Sequence, residues 1–171
     1  SKWASSAQIG DSIEIAGPGP AILAADADWY LFVGDMTALP AIAVNLEKLS
    51  SESKGIVLIE INSSEDKQEL KKPEGVEVKW IINSDPLTGC EDLIKALSGV
   101  EIKGGNPYAW VAGEFELLRF ARKLLKYDKA FPKDSLYLSC YWKIGADDPG
   151  MKKAKAALIL FDSIKNLFSF K

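Results

Sequence analysis

Residues 29–42 read WYLFVGDMTALPAI and join an apolar run, a glycine turn and the start of an amphipathic segment. The apolar run predicts a buried strand, and the segment after it predicts a helix with Thr37 as N-cap and Pro40 in its first turn. This order directs free backbone N–H groups toward one point, which suits the binding of a phosphate. The alternative is that Gly34 only permits the turn and Thr37 only caps the helix.

The alternation of strands and helices continues along the chain. Apolar runs predict five strands, at residues 28–33, 55–61, 76–82, 108–112 and 135–142. Amphipathic spacing predicts four helices, at residues 38–49, 90–97, 114–127 and 149–168. Near-continuous apolar strands separated by helices are typical of a parallel sheet covered on both faces. The sequence therefore predicts an α/β fold, a doubly wound five-stranded parallel sheet, which binds ligands beyond the carboxyl ends of its strands.

The beginning of the chain has a different pattern. Residues 9–15 alternate between apolar and polar side chains like a strand, and the glycines and prolines at 17–20 end that pattern. Because a lone strand is not stable by itself, we interpret residues 1–20 as the C-terminal remnant of an upstream β-rich domain. Residues 21–171 then form a second domain.

Composition narrows the function classes. The net charge of −3 and the pI near 5.1 argue against a nucleic-acid partner, which needs a basic face, and favour a small molecule. No apolar run reaches the roughly 18 residues of a membrane span, and no signal peptide is evident, so we expect a cytoplasmic protein. The absence of histidine removes His-based catalysis and most zinc sites, so no metal site is expected. Cys90 and Cys140 lack CxxC spacing and are expected to be reduced, packed thiols.

Other candidate residues follow the fourth and fifth predicted strands. Gly113 leaves room for a flat ligand at the backbone, while Glu114 either belongs to the same site or only favours a helix dipole. Tyr141 and Trp142 either stack on a planar ring system or belong to the core.

Two further patterns concern anions. The lysines at 152, 153 and 155 either attract an anionic ligand or form a solvated helix face. The turn after residue 33 lacks G-x-G-x-x-G, which excludes a Rossmann fingerprint at that position.

Several blocks carry a resemblance to a known family. They are WA at 3–4, GD at 10–11, GP at 17–18, DWY at 28–30, GD at 34–35, TALPAI at 37–42, GVEV at 75–78, YAWVAGE at 108–114 and YW at 141–142. Together they resemble the siderophore-interacting proteins, which are FAD-dependent ferric-siderophore reductases of the ferredoxin-reductase-like superfamily. The resemblance implies an N-terminal FAD-binding β-barrel, of which residues 1–20 are a remnant. Residues 21–171 correspond to the NAD(P)H-binding domain.

The resemblance also implies roles for residues. It places the dinucleotide against Gly34, Asp35, Thr37, Ala38 and Pro40, and it places Gly113 and Glu114 near the nicotinamide and flavin edge. Tyr141 and Trp142 are the further candidates for contact with the cofactor. Lys143, Lys152 and Lys153 are candidates for binding the ferric siderophore, although relatives often carry Arg where this chain has Lys143. The implied chemistry passes a hydride from NADH or NADPH to FAD and then electrons to the ferric chelate, so no catalytic side chain is expected.

Two alternatives remain open. A general flavin or ferredoxin-type reductase would share the fold and differ in its acceptor, and a non-catalytic nucleotide-binding domain would lack turnover. We expect the chain by itself to be inactive, because the barrel residues that contact FAD are not in this sequence. Glu60, Glu65 and Asp66 follow or end the second strand and disfavour a ribose phosphate if they face it.

Overall fold

The computed structural model describes residues 2–15, 23–147, 149–154 and 156. Its strands are β1 (Trp29–Gly34), β2 (Gly55–Ile61), β3 (Val76–Ile82), β4 (Pro107–Glu114) and β5 (Leu136–Trp142). Its α-helices are α1 (Lys2–Ser6), α2 (Leu39–Lys48), α3 (Glu91–Ser98) and α4 (Phe115–Ala121). A π-helical segment, Arg122–Asp128, continues α4, and short 3-10 turns lie at Ser64–Asp66, Pro86–Thr88 and Lys133–Ser135.

All five strands are parallel and lie in the order β3-β2-β1-β4-β5. β1 is central, and residue Phe32 pairs with Val57 of β2 on one side and with Trp110 of β4 on the other. The chain builds β2 and β3 to one side of β1 and then crosses to the other side for β4 and β5. The strand order therefore reverses between β1 and β4, which is the switch point of a doubly wound sheet. The predicted fold is confirmed.

Both faces of the sheet are buried, because alternate side chains of each strand pack against different helices. On one face, Leu31 and Val33 pack with Leu93 of α3 and Leu117 of α4. On the other face, side chains such as Phe32, Val57 and Trp110 pack against α2. A run such as WYLFV is apolar throughout because every position in it meets one of these two layers.

The polar residues that follow the strands lie along one edge of the sheet. We call it the carboxyl edge, defined by the last residues of the strands, which are Gly34, Ile61, Ile82, Glu114 and Trp142. The opposite side, where the strands begin, is the amino edge.

Three expectations about local structure need correction. Residues 9–15 form no strand, and Ile9, Ile13 and Ile15 are exposed. Alternation alone does not make a strand when no neighbouring strand supplies hydrogen bonds. The predicted helix at 114–127 is an α-helix only to Ala121 and is π-helical afterwards.

Thr37 is the third correction, because it does not cap α2. Ala38 occupies the N-cap position, and no side chain caps the helix there. Pro40 lies in the first turn as predicted. The predicted helix at 149–168 is helical at 149–154 and 156, and the rest of it lies outside the described residues. Within the described residues, none of the helices combines the length and apolar character needed to cross a bilayer.

Candidate functional site

The side chain of Asp35 joins the ends of β1, β4 and β5 at the switch point. Its Oδ2 accepts hydrogen bonds from the indole Nε1 of Trp142 at 2.8 Å and from the backbone N–H of Glu114 at 3.0 Å. Its Oδ1 accepts from the backbone N–H of Thr37 at 2.8 Å and from the Thr37 hydroxyl. Asp35 is only 6% exposed, and four donors supply the hydrogen bonds that a buried carboxylate requires. We call these four residues the Asp35 network.

Glu114 extends the Asp35 network to α4 and to the loop after β5. It is the N-cap of α4, and its Oε2 accepts from the backbone N–H of Glu116. Its Oε1 accepts from the backbone N–H of Ile144 at 3.1 Å. Glu114 therefore supports α4 as its N-cap, and a helix N-terminus is a favourable place for an acid. Its part in a ligand site stays a prediction. Both oxygens of this buried carboxylate are engaged within the chain.

Gly113 lies against the side chain of Asp35. Its φ is +148°, and a Cβ at this position would lie 2.6 Å from Oδ2 of Asp35. The Asp35 carboxylate thus lies where a Cβ would project from Gly113, and the expectation that Gly113 leaves room for a flat ligand stays a prediction. Gly34 is also closely packed, since a Cβ there would lie 2.6 Å from the Cβ of Ala38 and 2.8 Å from the carbonyl oxygen of Ala112.

The backbone N–H groups at the start of α2 are hydrogen-bonded within the chain. Those of Ala38 and Leu39 donate to the carbonyl oxygen of Asp35 at 3.0 and 3.1 Å, and that of Thr37 donates to Oδ1 of the same residue. The prediction that free N–H groups at this junction hold a phosphate is wrong for these three groups. The Asp35 side chain takes the place of the expected phosphate because it can accept from an N–H two residues ahead, as in an Asx turn.

Exposure divides the sequence-predicted residues into two sets. The buried set consists of Gly34, Asp35, Ala38, Gly113 and Glu114. The accessible set consists of the exposed Thr37 and Pro40 and the half-buried Tyr141 and Trp142. Burial, followed by the neighbouring Tyr137, raises the pKa of Tyr141 above its usual range, so Tyr141 is a neutral phenol at physiological pH. Members of the accessible set can contact a ligand directly, whereas the buried set fixes their positions.

The three lysines expected to meet an anionic substrate occupy different settings. The Nζ of Lys143 lies 4.5 Å from the ring centroid of Phe115, which is a cation–π contact. Lys152 and Lys153 are exposed on the helical residues 149–154. Met151 packs against the same core cluster as Phe115, so these lysines belong to the face of the sheet that α3 and α4 cover.

Glu60 lies next to the carboxyl end of β2, and the sequence marked it only as an acid that disfavours a ribose phosphate, not as a buried residue. It is 4% exposed, and its Oε2 has no hydrogen-bond partner. Burial raises the pKa of Glu60 to about 7; a hydrogen bond from Asn83 opposes the rise, and the carboxylates of Asp35, Glu91 and Asp92 add to it. A signal was available, because Glu60 is the one charged residue in the otherwise apolar strand GIVLIEI.

Cys90 lies in the same acidic surroundings. Burial raises the pKa of its thiol to about 12, with further contributions from Glu114, Glu60 and Glu91. A thiol with this pKa is protonated at physiological pH and is a poor nucleophile. Cys90 and Cys140 are both buried and free, which confirms the expected packed thiols.

The parallel sheet, its switch point and the buried polar residues gathered there define a doubly wound α/β domain with a candidate ligand site at its carboxyl edge. The family model "Siderophore-interacting protein" matches residues 27–145. The chain therefore belongs to the siderophore-interacting protein family.

Individual relatives agree with this assignment. The chain is 36% identical over 149 residues to the ferric vibriobactin reductase ViuB of Vibrio cholerae, covering 85% of this chain and 55% of ViuB. A more distant relative, the NADPH-dependent ferric-chelate reductase of Escherichia coli, is 23% identical over 146 residues, or 83% of this chain and 55% of that protein. Among solved structures, the siderophore-interacting protein SipS of Aeromonas hydrophila superposes with a TM-score of 0.80 and 28% identity, covering 92% of this chain and 62% of SipS. The chain thus spans about half the length of the curated relatives it matches.

Proposed function

We propose that this chain is the NAD(P)H-binding half of a flavin-dependent ferric-siderophore reductase. The observation that carries the proposal is the convergence of buried polar residues at the switch point, in a chain of the siderophore-interacting protein family. The names of two relatives, a ferric vibriobactin reductase and a ferric-chelate reductase, support the reaction class.

The nucleotide is proposed to lie across the carboxyl edge. Thr37 and Pro40 of the β1–α2 loop and the rings of Tyr141 and Trp142 are accessible there. The Asp35 network holds the Trp142 indole in a fixed orientation, which prepares a rigid face for a planar ring. The backbone N–H groups of residues 37–39 already donate to Asp35, so in this proposal the fit rests on ring contacts and on Glu60.

When bound, the nicotinamide supplies a hydride and the flavin divides the electron pair into single electrons for the ferric chelate. The residues of this chain then have only to bind the nucleotide and orient its nicotinamide ring. Both carboxylates of the switch point are hydrogen-bonded within the chain, so neither is assigned as a general acid or base. Lys143, Lys152 and Lys153 are proposed to attract the anionic ferric siderophore, and FAD is proposed to be held mainly by residues outside this sequence.

A chimera tests the proposal. The part of ViuB that this chain does not match would be joined to it, and ferric-chelate reduction would be followed with NADH and with NADPH. We expect bound flavin and nucleotide-dependent Fe(II) formation, whereas the chain alone should be colourless and inactive. A folded, flavin-loaded chimera that oxidises neither nucleotide would contradict the proposal. Nucleotide oxidation without ferric reduction would favour the alternative of a general flavin reductase.

A further inference from the structure

The carboxyl ends of β2 and β3 form an acidic surface beside the switch point. Residues 60–66 carry Glu60, Glu65 and Asp66, and residues 83–94 carry Asp85, Glu91 and Asp92. Neither segment contains Lys or Arg. In a doubly wound sheet, the ribose of a dinucleotide lies near the carboxyl end of the strand beside the first β–α turn. A ribose at the carboxyl ends of β2 and β3 would therefore lie near carboxylates, and neither segment would offer it a cationic side chain.

Glu60 is the member of this surface that points to a ligand. Glu60 is more than nine-tenths buried, yet its Oε2 makes no hydrogen bond. An unmet buried carboxyl oxygen is costly, and a ligand hydroxyl that reached it would recover a hydrogen bond. The described residues place no group of three or more acids or cysteines to hold a metal ion, so a hydroxyl is the better-matched partner.

The protonation of Glu60 also suits a hydroxyl. Because burial raises the pKa of Glu60 to about 7, both its neutral and its ionised forms are present near neutral pH. A hydroxyl can donate to the ionised carboxylate and accept from the neutral carboxyl, so it is satisfied by either form. A phosphate offers mainly acceptor oxygens and carries negative charge, which Asp35, Glu91 and Asp92 would repel.

We propose that Glu60 selects the ribose of the nicotinamide nucleotide: its carboxyl takes a ribose hydroxyl, and the acids around it disfavour a 2′-phosphate. The chain therefore binds NADH more tightly than NADPH. This inference rests on the proposed function, because it names the nucleotide of the same site. It also separates this chain from the E. coli relative, which is named as an NADPH-dependent reductase.

Calorimetric titration of the chain with NADH and with NADPH at pH 7.5 tests the inference. The two ligands differ only in the 2′-phosphate, so the ratio of their dissociation constants isolates its effect. We expect NADH to bind about tenfold or more tightly, and we expect Glu60→Gln to reduce that preference to about threefold or less. Glu74→Gln is the matched control, because Glu74 is exposed near the amino edge and its loss removes the same charge.

A surface variant keeps the test independent of the buried position. Ser84 is exposed beyond the carboxyl end of β3, and Ser84→Arg should raise NADPH affinity about fivefold with little change for NADH. Equal binding of both nucleotides, or a preference unchanged by both variants, would overturn the inference and leave the proposed function standing. Failure of both nucleotides to bind at millimolar concentration would overturn the inference and the proposed function together.

Discussion

The amino and carboxyl edges of the sheet differ in the volume of their grooves and in the burial of their charged side chains. Three described grooves, of about 1020, 380 and 610 Å³, open toward the amino edge. Exposed lysines such as Lys54 and Lys103 line the first of these, mixed with acids such as Asp28 and Glu101. The carboxyl edge is instead built from buried polar side chains with specified partners. Open volume alone would therefore favour the amino edge, whereas the placement of buried charge is the basis of our proposal for the carboxyl edge.

The energetic difference between the edges follows from burial. Three of the buried polar residues in the described chain, Asp35, Glu60 and Glu114, lie at the carboxyl edge. A buried carboxylate must be fully hydrogen-bonded or it costs stability. Asp35 and Glu114 meet this requirement and Glu60 does not. The predictions below compare the two edges, beginning with the largest expected effect.

Gly113→Ala should have the largest effect, because the added Cβ would lie 2.6 Å from Oδ2 of Asp35 at a φ of +148°. We expect a loss of about 3–4 kcal/mol in the free energy of unfolding, measured by urea denaturation. Gly145→Ala is the control, since Gly145 has a φ of +69° with nothing within 4 Å of an added Cβ. It should cost about 1 kcal/mol from backbone strain alone. Equal losses in the two variants would show that Gly113 is not needed for the approach of Asp35.

Asp35→Ala, compared with Asp28→Ala at the opposite end of β1, tests how much the Asp35 network contributes to stability. It removes four hydrogen bonds and leaves the backbone N–H of Glu114 buried without its partner, so we expect about 3 kcal/mol of destabilisation. Asp28→Ala, at the amino edge, removes the acceptor of a hydrogen bond from the backbone N–H of Asn106 at an exposed position. It should cost about 1 kcal/mol or less. A larger loss from Asp28→Ala would reverse the comparison between the edges.

Glu60 makes stability depend on pH. Its pKa is about 7 in the folded chain and near 4.5 when unfolded, so the folded state binds more protons between these values and stability falls as pH rises through them. Glu60→Gln should therefore gain stability relative to the parent chain as pH rises from 4.5 to 7, by at most about 3 kcal/mol. Thermal unfolding at pH 5 and pH 8 checks this. If the stabilities of the parent chain and the variant change in parallel with pH, Glu60 is not buried with an unpartnered Oε2.

Lys143→Met should have the smallest effect. It removes the cation–π contact with Phe115 and should cost about 0.5–1 kcal/mol. Lys79→Met is the comparison, because Lys79 makes only an exposed ion pair with Glu77 at 3.6 Å, and its loss should be close to zero. Chemical denaturation of both variants measures their free energies of unfolding. Indistinguishable values would show that the contact between Lys143 and Phe115 does not contribute to stability.

The sequence predicted the sheet well because its strands are encoded locally. Runs such as WYLFV and GIVLIEI are apolar at positions that face both layers, so neither needs long-range information to be recognised. The sequence also indicated that Gly34 and Gly113 lie at the carboxyl ends of neighbouring parallel strands, where Gly34 pairs with Ala112.

The chemistry of that site was less predictable, because it depends on contacts between distant residues. Asp35 and Glu114 are 79 positions apart, and only the folded chain shows that the Asp35 carboxylate fills the space at Gly113. Thr37 looked like a cap because its residue type favours that role, but Asp35 takes its N–H and hydroxyl. Glu60 was visible as an acid, whereas its unpaired oxygen depends on packing between β2, β3 and α3.

The central claim is that nucleotide binds at the carboxyl edge rather than in the amino-edge grooves. Nuclear magnetic resonance with ¹⁵N-labelled chain during NADH titration tests it most directly, with Trp142→Phe identifying the indole signal of Trp142. We expect shifts of the Trp142 indole N–H and of the backbone amides of Glu114 and Ile144, with the amides of Gly75 and Gly104 unchanged. Shifts confined to Gly75, Gly104 and their neighbours would contradict the claim.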